Sequence, residues 1–311
     1  MSKIGMRIAA ILASGALLLS GCSQGGTAAS SGAGGEKVKL GMAISTLNNP
    51  FFVSLEKGAK DAAAAAGADL VVTDARDDAT QQANQIQNFQ AQQVKAVLIN
   101  PVDSDAAGPM VAPLAAANLP VVAVDRAVNG AEVNALVASD NVAGGRMAAE
   151  TLAKAIGEKG DIIVLQGVAG ATASRERGQG FTEGIARFPN VKVVAKQPAD
   201  FDRTKGLDVT TNLLQSNPKA VGVFAENDEM ALGAIQALGD RAGKSVQVVG
   251  FDGTADGIAA VKQGTMFASI AQQPEELGKK SVETALKLAK GETVDKAISV
   301  PVVVVDKSNA K

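Results

Sequence analysis

Two α/β lobes, each built on a parallel β-sheet, are the fold that the sequence predicts. The chain has 311 residues, long enough for two domains with separate cores. Apolar residues make up 46% of the chain, which is enough to fill both cores. From Val38 onward, short runs rich in valine and isoleucine alternate with longer segments of helical spacing. This alternation is typical of parallel strands that helices bury on both faces.

The predicted strands follow one another with room for a helix between most of them. Helical spacing is found, for example, from Phe51 to Ala66 and from Glu275 to Lys290. Right-handed crossovers between parallel strands give doubly wound sheets, and the strands are too many for one small sheet. The strand candidates are residues 38–45, 68–75, 95–101, 119–126, 135–140, 161–167, 191–198, 220–227, 246–253, 267–272 and 301–306.

The residues before the α/β pattern predict a secretory leader. Lys3 and Arg7 lie in a short basic start, and an apolar stretch over residues 8–19 follows. That stretch is too short to span a bilayer as a permanent helix, but it fits the apolar region of a signal peptide.

The end of this leader predicts a lipid anchor. The segment Leu19-Ser20-Gly21-Cys22 resembles a bacterial lipobox, in which the cysteine is acylated and becomes the mature N-terminus. Residues 1–21 are then a lipoprotein signal peptide, and residues 22–36, rich in Gly, Ser and Ala, are a flexible tether. An ordinary signal peptide with an incidental Cys22 is the alternative.

The composition excludes several classes of function. Histidine, the commonest general base and a common metal ligand, is absent from the sequence, so we expect no catalytic residue, metal or cofactor. Lys and Arg number 30 against 32 Asp and Glu, without a basic run, which argues against nucleic-acid binding.

Polar side chains stand at the carboxyl ends of several predicted strands. In open α/β sheets, ligands bind outside these ends, so the side chains predict a polar ligand pocket. Solvated loops are the alternative for any one of them, but planar hydrogen-bonding groups on so many strands favour the pocket. These residues are Ser45, Asn100, Asp125, Arg126, Asn227, Asp252 and Gln272.

Several longer segments carry a resemblance to a known family. They resemble the ribose-binding proteins of bacterial ABC importers, in the type I periplasmic binding-protein family, and the resemblance covers residues 37–306. The segments are STLNNPFF (45–52), INPVDSDA (99–106), VDR (124–126), SDNVAGG (139–145), GATASRERGQGF (170–181), QPADFDRTKGL (197–207), FAENDEMALGA (224–234) and VVGFDGTADG (248–257).

The resemblance implies a set of sugar-binding residues. Phenylalanines would cover the apolar faces of a sugar ring, and carboxylates, guanidinium groups and amides would bind its hydroxyls. In the first lobe they are Ser45, Asn49, Phe51, Phe52, Asn100, Asp125 and Arg126; in the second they are Arg177, Phe201, Asn227 and Asp252, with Gln272 at the hinge. The spacing alone does not distinguish Arg177 from Arg175, or a ligand contact from a core residue at Phe51 and Phe52.

The resemblance also implies an architecture in which the chain passes three times between the lobes. The N-terminal lobe is expected from residues 37–139 and 273–301, and the C-terminal lobe from 140–272 and 302–311. The crossings would form a three-segment hinge that closes the lobes around a sugar.

The implied function is D-ribose capture for an ABC-type importer, outside the cytoplasm and without chemical change. Allose, another pentose or a furanosyl signalling molecule are the alternatives. The expected partners are a permease of the inner membrane and a chemoreceptor, and the protein is expected to be monomeric and membrane-attached through its lipid only. It would lie in the periplasm or on the outer face of the cytoplasmic membrane. The absence of histidine and of catalytic motifs from the sequence disfavours an enzyme. A sugar-responsive repressor would carry an N-terminal DNA-binding domain, and the predicted leader occupies that position here.

Overall fold

The computed structural model describes residues 37–311, which form two β-sheets with helices on both faces. The predicted signal peptide, Cys22 and the predicted tether lie outside the described residues. Within residues 37–311, every helix falls short of the length and apolar character that a membrane span requires.

Strands and helices alternate through most of the described chain. The strands are Lys39–Ile44 (β1), Asp69–Asp74 (β2), Ala96–Ile99 (β3), Val121–Val124 (β4), Ala135–Ser139 (β5), Gly160–Gln166 (β6), Val191–Pro198 (β7), Ala220–Ala225 (β8), Gln247–Asp252 (β9), Ala268–Ala271 (β10), Ala297–Val300 (β11) and Val303–Asp306 (β12). The helices are Pro50–Ala65 (α1), Ala79–Ala91 (α2), Ala107–Ala116 (α3), Asn141–Ala155 (α4), Thr172–Ile185 (α5), Arg203–Ser216 (α6), Asp228–Leu238 (α7), Ala255–Gln263 (α8) and Pro274–Ala289 (α9).

The two sheets have the same strand order. The first is β2-β1-β3-β4-β5-β11 and the second is β7-β6-β8-β9-β10-β12. In each sheet the order reverses beside the first strand, at β1 and β3 or at β6 and β8. This reversal opens a crevice at the carboxyl ends of the strands, where doubly wound proteins bind their ligands. The prediction of two doubly wound parallel-sheet lobes is confirmed.

Each sheet has its own core. In the first lobe, β1, β3 and β4 are almost entirely buried between α1 and α9 on one face and α2 and α3 on the other. In the second lobe, α4 and α5 cover one face, and α6 and α7 pack together against the other. Since valine, isoleucine and alanine fill these strands, their burial explains why the runs are continuous rather than alternating.

Helix starts place side chains at the mouths of the sheets. Asn49 caps α1 through Oδ1, which accepts from the backbone N–H of Phe51 at 2.9 Å, and Pro50 starts the helix. Asn227 caps α7 in the same way, accepting from the backbone N–H of Met230 at 2.9 Å. The asparagine caps therefore fix the helix N-termini beside the strand ends.

The C-terminal strands differ from the sequence-based prediction. The single predicted strand over residues 301–306 begins only at Val303, and β11, which precedes Pro301, was not predicted. β11 pairs with β5 in the first sheet, whereas β12 pairs antiparallel with β10 in the second. Antiparallel edge strands are common on otherwise parallel sheets, so the prediction of parallel strands was wrong for β12 alone.

The chain passes between the sheets three times, after β5, after β10 and between β11 and β12. The crossing segments contact one another. Gln273 Nε2 donates to the carbonyl oxygen of Pro301 at 3.0 Å. The backbone N–H of Asp140 donates to the carbonyl oxygen of Val300 at 3.2 Å.

Candidate ligand-binding cleft between the lobes

The carboxyl ends of the strands of both sheets meet in one cleft. Nine of the twelve residues predicted to bind a ligand line it, together with one that was not predicted, Ala173. The lining residues are Asn49, Phe51, Phe52, Asp125, Arg126, Ala173, Arg177, Phe201, Asn227 and Asp252. Phe51 and Phe52 also belong to the core of the first lobe. Each can therefore be both a core residue and a residue that lines the cleft.

Ala173 lies in the first turn of α5 and is 1% exposed. An alanine offers no hydrogen bond, and it stands in the sequence among other small residues, Gly170 to Ser174. The only usable signal would have been its position four residues before Arg177, on the same face of the helix.

Ser45 and Asn100, which were also predicted, lie behind the cleft and position Asp125. Both are fully buried. Asn100 Oδ1 accepts from Ser45 Oγ at 2.7 Å, and Asn100 Nδ2 donates to Asp125 Oδ2 at 3.4 Å.

Gln272, the remaining predicted residue, positions Asp252. Its Nε2 donates to Asp252 Oδ1 at 2.7 Å. Arg177 Nη1 approaches the same oxygen at 3.4 Å, so this carboxylate has an amide and a guanidinium as partners.

Arg177 is anchored on several sides. Its Nε donates to Asn141 Oδ1 at 3.0 Å, and its Nη1 donates to the carbonyl oxygen of Glu226 at 2.7 Å. Its guanidinium lies 3.9 Å from the ring centroid of Phe251. These contacts hold the guanidinium at a set position before any ligand arrives.

Arg126 lies close to one aromatic ring of each lobe. Its guanidinium is 5.2 Å from the ring centroid of Phe52 and 5.4 Å from that of Phe201. Nη1 donates to the carbonyl oxygen of Pro101 at 2.9 Å, and Nε stands 3.7 Å from Asp125 Oδ2. The Arg126 guanidinium and the rings of Phe52 and Phe201 thus line the same narrow cleft.

The charged groups of the cleft are deeply buried. Asp125, Arg126, Arg177 and Asp252 are each 5% exposed or less. Burial raises the pKa of Asp125 and raises the pKa of Asp252 well above its usual value, and the neighbouring arginines oppose both shifts. Burial also lowers the pKa of Arg126.

Several buried polar atoms in the cleft have no hydrogen-bond partner among residues 37–311. They are Asp125 Oδ1, Arg126 Nε and Gln272 Oε1. Such atoms are rare in native structures because each carries a desolvation cost of about 1–3 kcal/mol. The set contains both acceptors and a donor, which a ligand with several hydroxyl groups would satisfy.

The cleft is closed in this structure. Ser104 of the first lobe contacts the second through its backbone N–H to the Gly170 carbonyl at 3.0 Å and through Oγ to Thr172 Oγ1 at 3.3 Å. The cavity volume between the lining side chains is about 10 Å³, near the minimum for one water. A larger molecule therefore enters only when the lobes or the side chains move apart.

The backbone of the cleft adopts strained conformations. Asp125, Phe201 and Asp252 have φ angles of 65°, 60° and 121°, in the region that favours glycine. Strain of this kind, of order 1–3 kcal/mol for each residue, gathers at functional sites and persists only where neighbours enforce it.

Asp228 holds the turn that follows Asp252 and so helps to maintain the strained backbone there. Its Oδ2 accepts from the backbone N–H of Thr254 at 2.8 Å, and its Oδ1 accepts from Ser269 Oγ at 2.7 Å. Ser269 Oγ in turn accepts from the backbone N–H of Gly253 at 3.0 Å. Burial raises the pKa of Asp228 to about 6, and repulsion from Asp228 adds to the raised pKa of Asp252.

We expect Asp228→Asn to weaken ligand binding about tenfold, the equivalent of one charged hydrogen bond. The amide cannot accept at once from Ser269 Oγ and from both the backbone N–H and the hydroxyl of Thr254, so the turn after Asp252 loosens. Removing the Asp228 charge also lowers the pKa of Asp252, so the loss of affinity on acidification should move to lower pH. Calorimetric titrations between pH 4 and 8 measure both effects, and an unchanged pH profile would show that Asp228 is merely structural.

The fold and this cleft define a class: two-lobed proteins that capture a small polar molecule between α/β lobes. The chain belongs to the periplasmic binding protein domain family, whose model matches residues 40–293. The prediction of a type I periplasmic binding-protein fold is therefore confirmed.

Curated relatives and solved structures cover most of the chain. It is 50% identical over 259 residues to the ribose import binding protein of Escherichia coli K12, covering 83% of this chain and 87% of the relative. It is 47% identical over 262 residues to the ribose import binding protein of Bacillus subtilis 168, covering 84% and 85%. A periplasmic solute-binding protein of Actinobacillus succinogenes with bound D-allose superposes with a TM-score of 0.83 at 33% identity, covering 88% of this chain and 99% of that one.

Proposed function

We propose that this protein captures D-ribose between its lobes for an ABC-type importer and releases it unchanged. Relatives at 47–50% identity over most of the chain are ribose import binding proteins. Another small sugar, such as the D-allose bound by the structural relative, is the alternative ligand.

The buried, unpartnered polar atoms carry this proposal. A sugar hydroxyl both donates and accepts, so ribose would give a donor to Asp125 Oδ1 and Gln272 Oε1 and an acceptor to Arg126 Nε. The ring centroids of Phe52 and Phe201 lie 5.2 and 5.4 Å from the Arg126 guanidinium, and these rings would cover the C–H faces of the sugar. The other side chains that line the cleft would supply the remaining contacts with such a ligand.

The expected affinity follows from opposing contributions. Hydrogen bonds to charged groups contribute about 1.5–3 kcal/mol each. Ordering of the ligand and closure of the lobes oppose them, so we expect a Kd of about 1 μM, or about −8 kcal/mol.

Hinge closure is the proposed mechanism. The lobes would consist of residues 37–139 with 273–301, and of 140–272 with 302–311, in line with the membership of β11 and β12 in different sheets. Ribose bound to one lobe would recruit contacts from the other and shift the population toward the closed form. That form would present both lobes to the permease, and to a chemoreceptor if one is used.

We place the protein outside the cytoplasm as a monomer, attached through a lipid on Cys22. The family is periplasmic, which supports the location, and the leader sequence supports the anchor. Loss of membrane association in a Cys22→Ser variant tests the anchor.

A calorimetric panel of D-ribose, D-allose, D-xylose and D-arabinose tests the ligand. We expect D-ribose to bind at least about tenfold more tightly than each of the others, because a misplaced hydroxyl leaves buried groups unpaired. Tighter binding of D-allose would replace ribose by the alternative, and no binding by any sugar would refute the proposal. Recovery of unchanged ribose by NMR after incubation would separate capture from catalysis.

A further inference from the structure

A second cavity, of about 510 Å³, lies in the second lobe beneath α5. It is bounded by the carboxyl-terminal halves of β6 and β7 and by the residue after β8. It shares no lining residue with the cleft between the lobes. Its volume lies within the range of about 300–1,000 Å³ that is usual for small-molecule sites. Much of its wall is apolar, including Val164, Gly167, Ala169, Phe181 and Pro198.

A buried carboxylate forms part of this wall. Glu226, directly after β8, is 0% exposed. One oxygen, Oε2, accepts from the backbone N–H of Gly167 at 2.7 Å and from Ser174 Oγ. The other oxygen, Oε1, is buried and has no hydrogen-bond partner in the part of the chain that the structure describes. It lies beside Gly178 of α5, where a Cβ would come within 3.1 Å of it.

The neighbouring cations are engaged elsewhere. Arg177 directs its Nη1 to the backbone carbonyl of Glu226 and to Asp252, not to the Glu226 carboxylate. Arg175 pairs with Asp105 across the lobes at 2.9 Å.

The charged groups at the rim on β7 and α5 are likewise accounted for. Lys196 is exposed and donates to Thr182 Oγ1 at 3.2 Å. The carboxylate of Glu183 pairs with Arg146.

Buried charges in proteins are normally paired with an opposite charge or bound to a metal. Glu226 is an exception, and burial raises its pKa to about 7, with weaker opposing effects from Arg177 and Lys196. A ligand cation beside Oε1 would complete the pair and hold the carboxylate ionised.

We propose that this cavity is a binding site for a small organic ammonium ion with an apolar body. The ammonium group donates to Glu226 Oε1, and the apolar body packs against Ala169 and Pro198, the exposed apolar residues of the wall. The site goes beyond sugar capture because its lining and its ligand chemistry both differ from those of the cleft.

The test uses cyclohexylmethylammonium and its neutral isostere cyclohexylmethanol in calorimetric titrations of the full protein. We expect the ammonium to bind about tenfold more tightly than the alcohol, the effect of one charge-assisted hydrogen bond. Saturating D-ribose should leave this affinity unchanged. Because an ammonium of this kind stays protonated below about pH 10, its affinity should rise between pH 6 and 8 as Glu226 ionises.

Glu226→Gln keeps an acceptor for Gly167 and Ser174 but removes the charge, so it should abolish the preference for the ammonium. Glu183→Gln, at the exposed rim, is the matched control and should preserve it. Gly178→Ala keeps Glu226 but places a methyl group beside Oε1, and it should weaken ammonium binding even if Glu226→Gln folds poorly.

Equal affinity for the two probes, or an ammonium preference that survives in Glu226→Gln, would overturn the proposal. Displacement of the ammonium by ribose would place it in the cleft and would also overturn it. These outcomes are independent of whether ribose is the captured sugar.

Discussion

Replacing Arg177 by alanine is expected to weaken ribose binding by about 10²–10³-fold. The variant removes a donor from the cleft and leaves Asp252, which is 4% exposed, without its cationic partner. Breaking a buried ion pair in this way costs about 3–5 kcal/mol, which corresponds to a loss of about 10²–10³-fold in affinity. A Kd near 1 μM would then move toward the millimolar range, as calorimetric titration would measure.

Arg175→Ala is the matched control, on the same helix two residues away. Arg175 is exposed and pairs with Asp105 of the other lobe at 2.9 Å. An exposed pair contributes about 0–1 kcal/mol, so this variant should bind ribose within about fivefold of the unsubstituted protein. Circular dichroism would show whether Arg177→Ala folds without ligand. Comparable losses in the two variants would refute the assignment of Arg177 as a ligand contact.

The choice between these two arginines illustrates what the sequence could predict. By itself, the segment Arg175-Glu176-Arg177 suggests only a solvated helix start. The buried residues of α5 follow a helical period through Ala173, Arg177 and Phe181. That period was available in the sequence and would have favoured Arg177 over Arg175. The resemblance selected the same residue by a different route.

The strand-end residues were easier to predict because their chemistry is visible. Asp125 follows β4 and Asp252 is the last residue of β9, and parallel strands bring their carboxyl ends to one edge of the sheet. The sequence did not show which of them would line the cleft and which would hold a neighbouring side chain in place. Nothing in the local sequence indicates that Asn100 and Gln272 donate to carboxylates while Arg126 lies close to two rings, because those contacts join residues far apart in the chain.

The C-terminal segment shows a different limit. Residues 297–306 read as one mainly apolar run with Pro301 in its middle, and a proline does not reveal that its two sides join different sheets. Partner choice for short edge strands depends on the path of the whole chain. Glu226 is a similar case: its sequence context is a polar strand end, and only the structure shows that one of its oxygens is buried without a partner.

Asp252→Asn is the second substitution with a large expected effect. Asparagine has the same shape and can still accept from Gln272, but it lacks the charge that Arg177 faces. Arg177 then loses the carboxylate with which it forms an ion pair among the described residues, and a ribose hydroxyl would lose a carboxylate acceptor. We expect ribose affinity to fall about 10²–10³-fold in calorimetric titrations at pH 7.

The pH dependence separates this charge effect from a change of shape. Because burial raises the pKa of Asp252, acidification of the unsubstituted protein protonates it at a higher pH than an exposed aspartate. Its ribose affinity should therefore weaken toward acid, and the Asp252→Asn variant, already neutral there, should lack this component. Asp256→Asn removes an exposed carboxylate that pairs with Arg203; it should leave both affinity and pH profile unchanged, since Arg203 retains Glu229. A steep acid response that persists in Asp252→Asn would assign the titration to another buried carboxylate, with Asp125 the first to test, because burial raises its pKa in the same cleft.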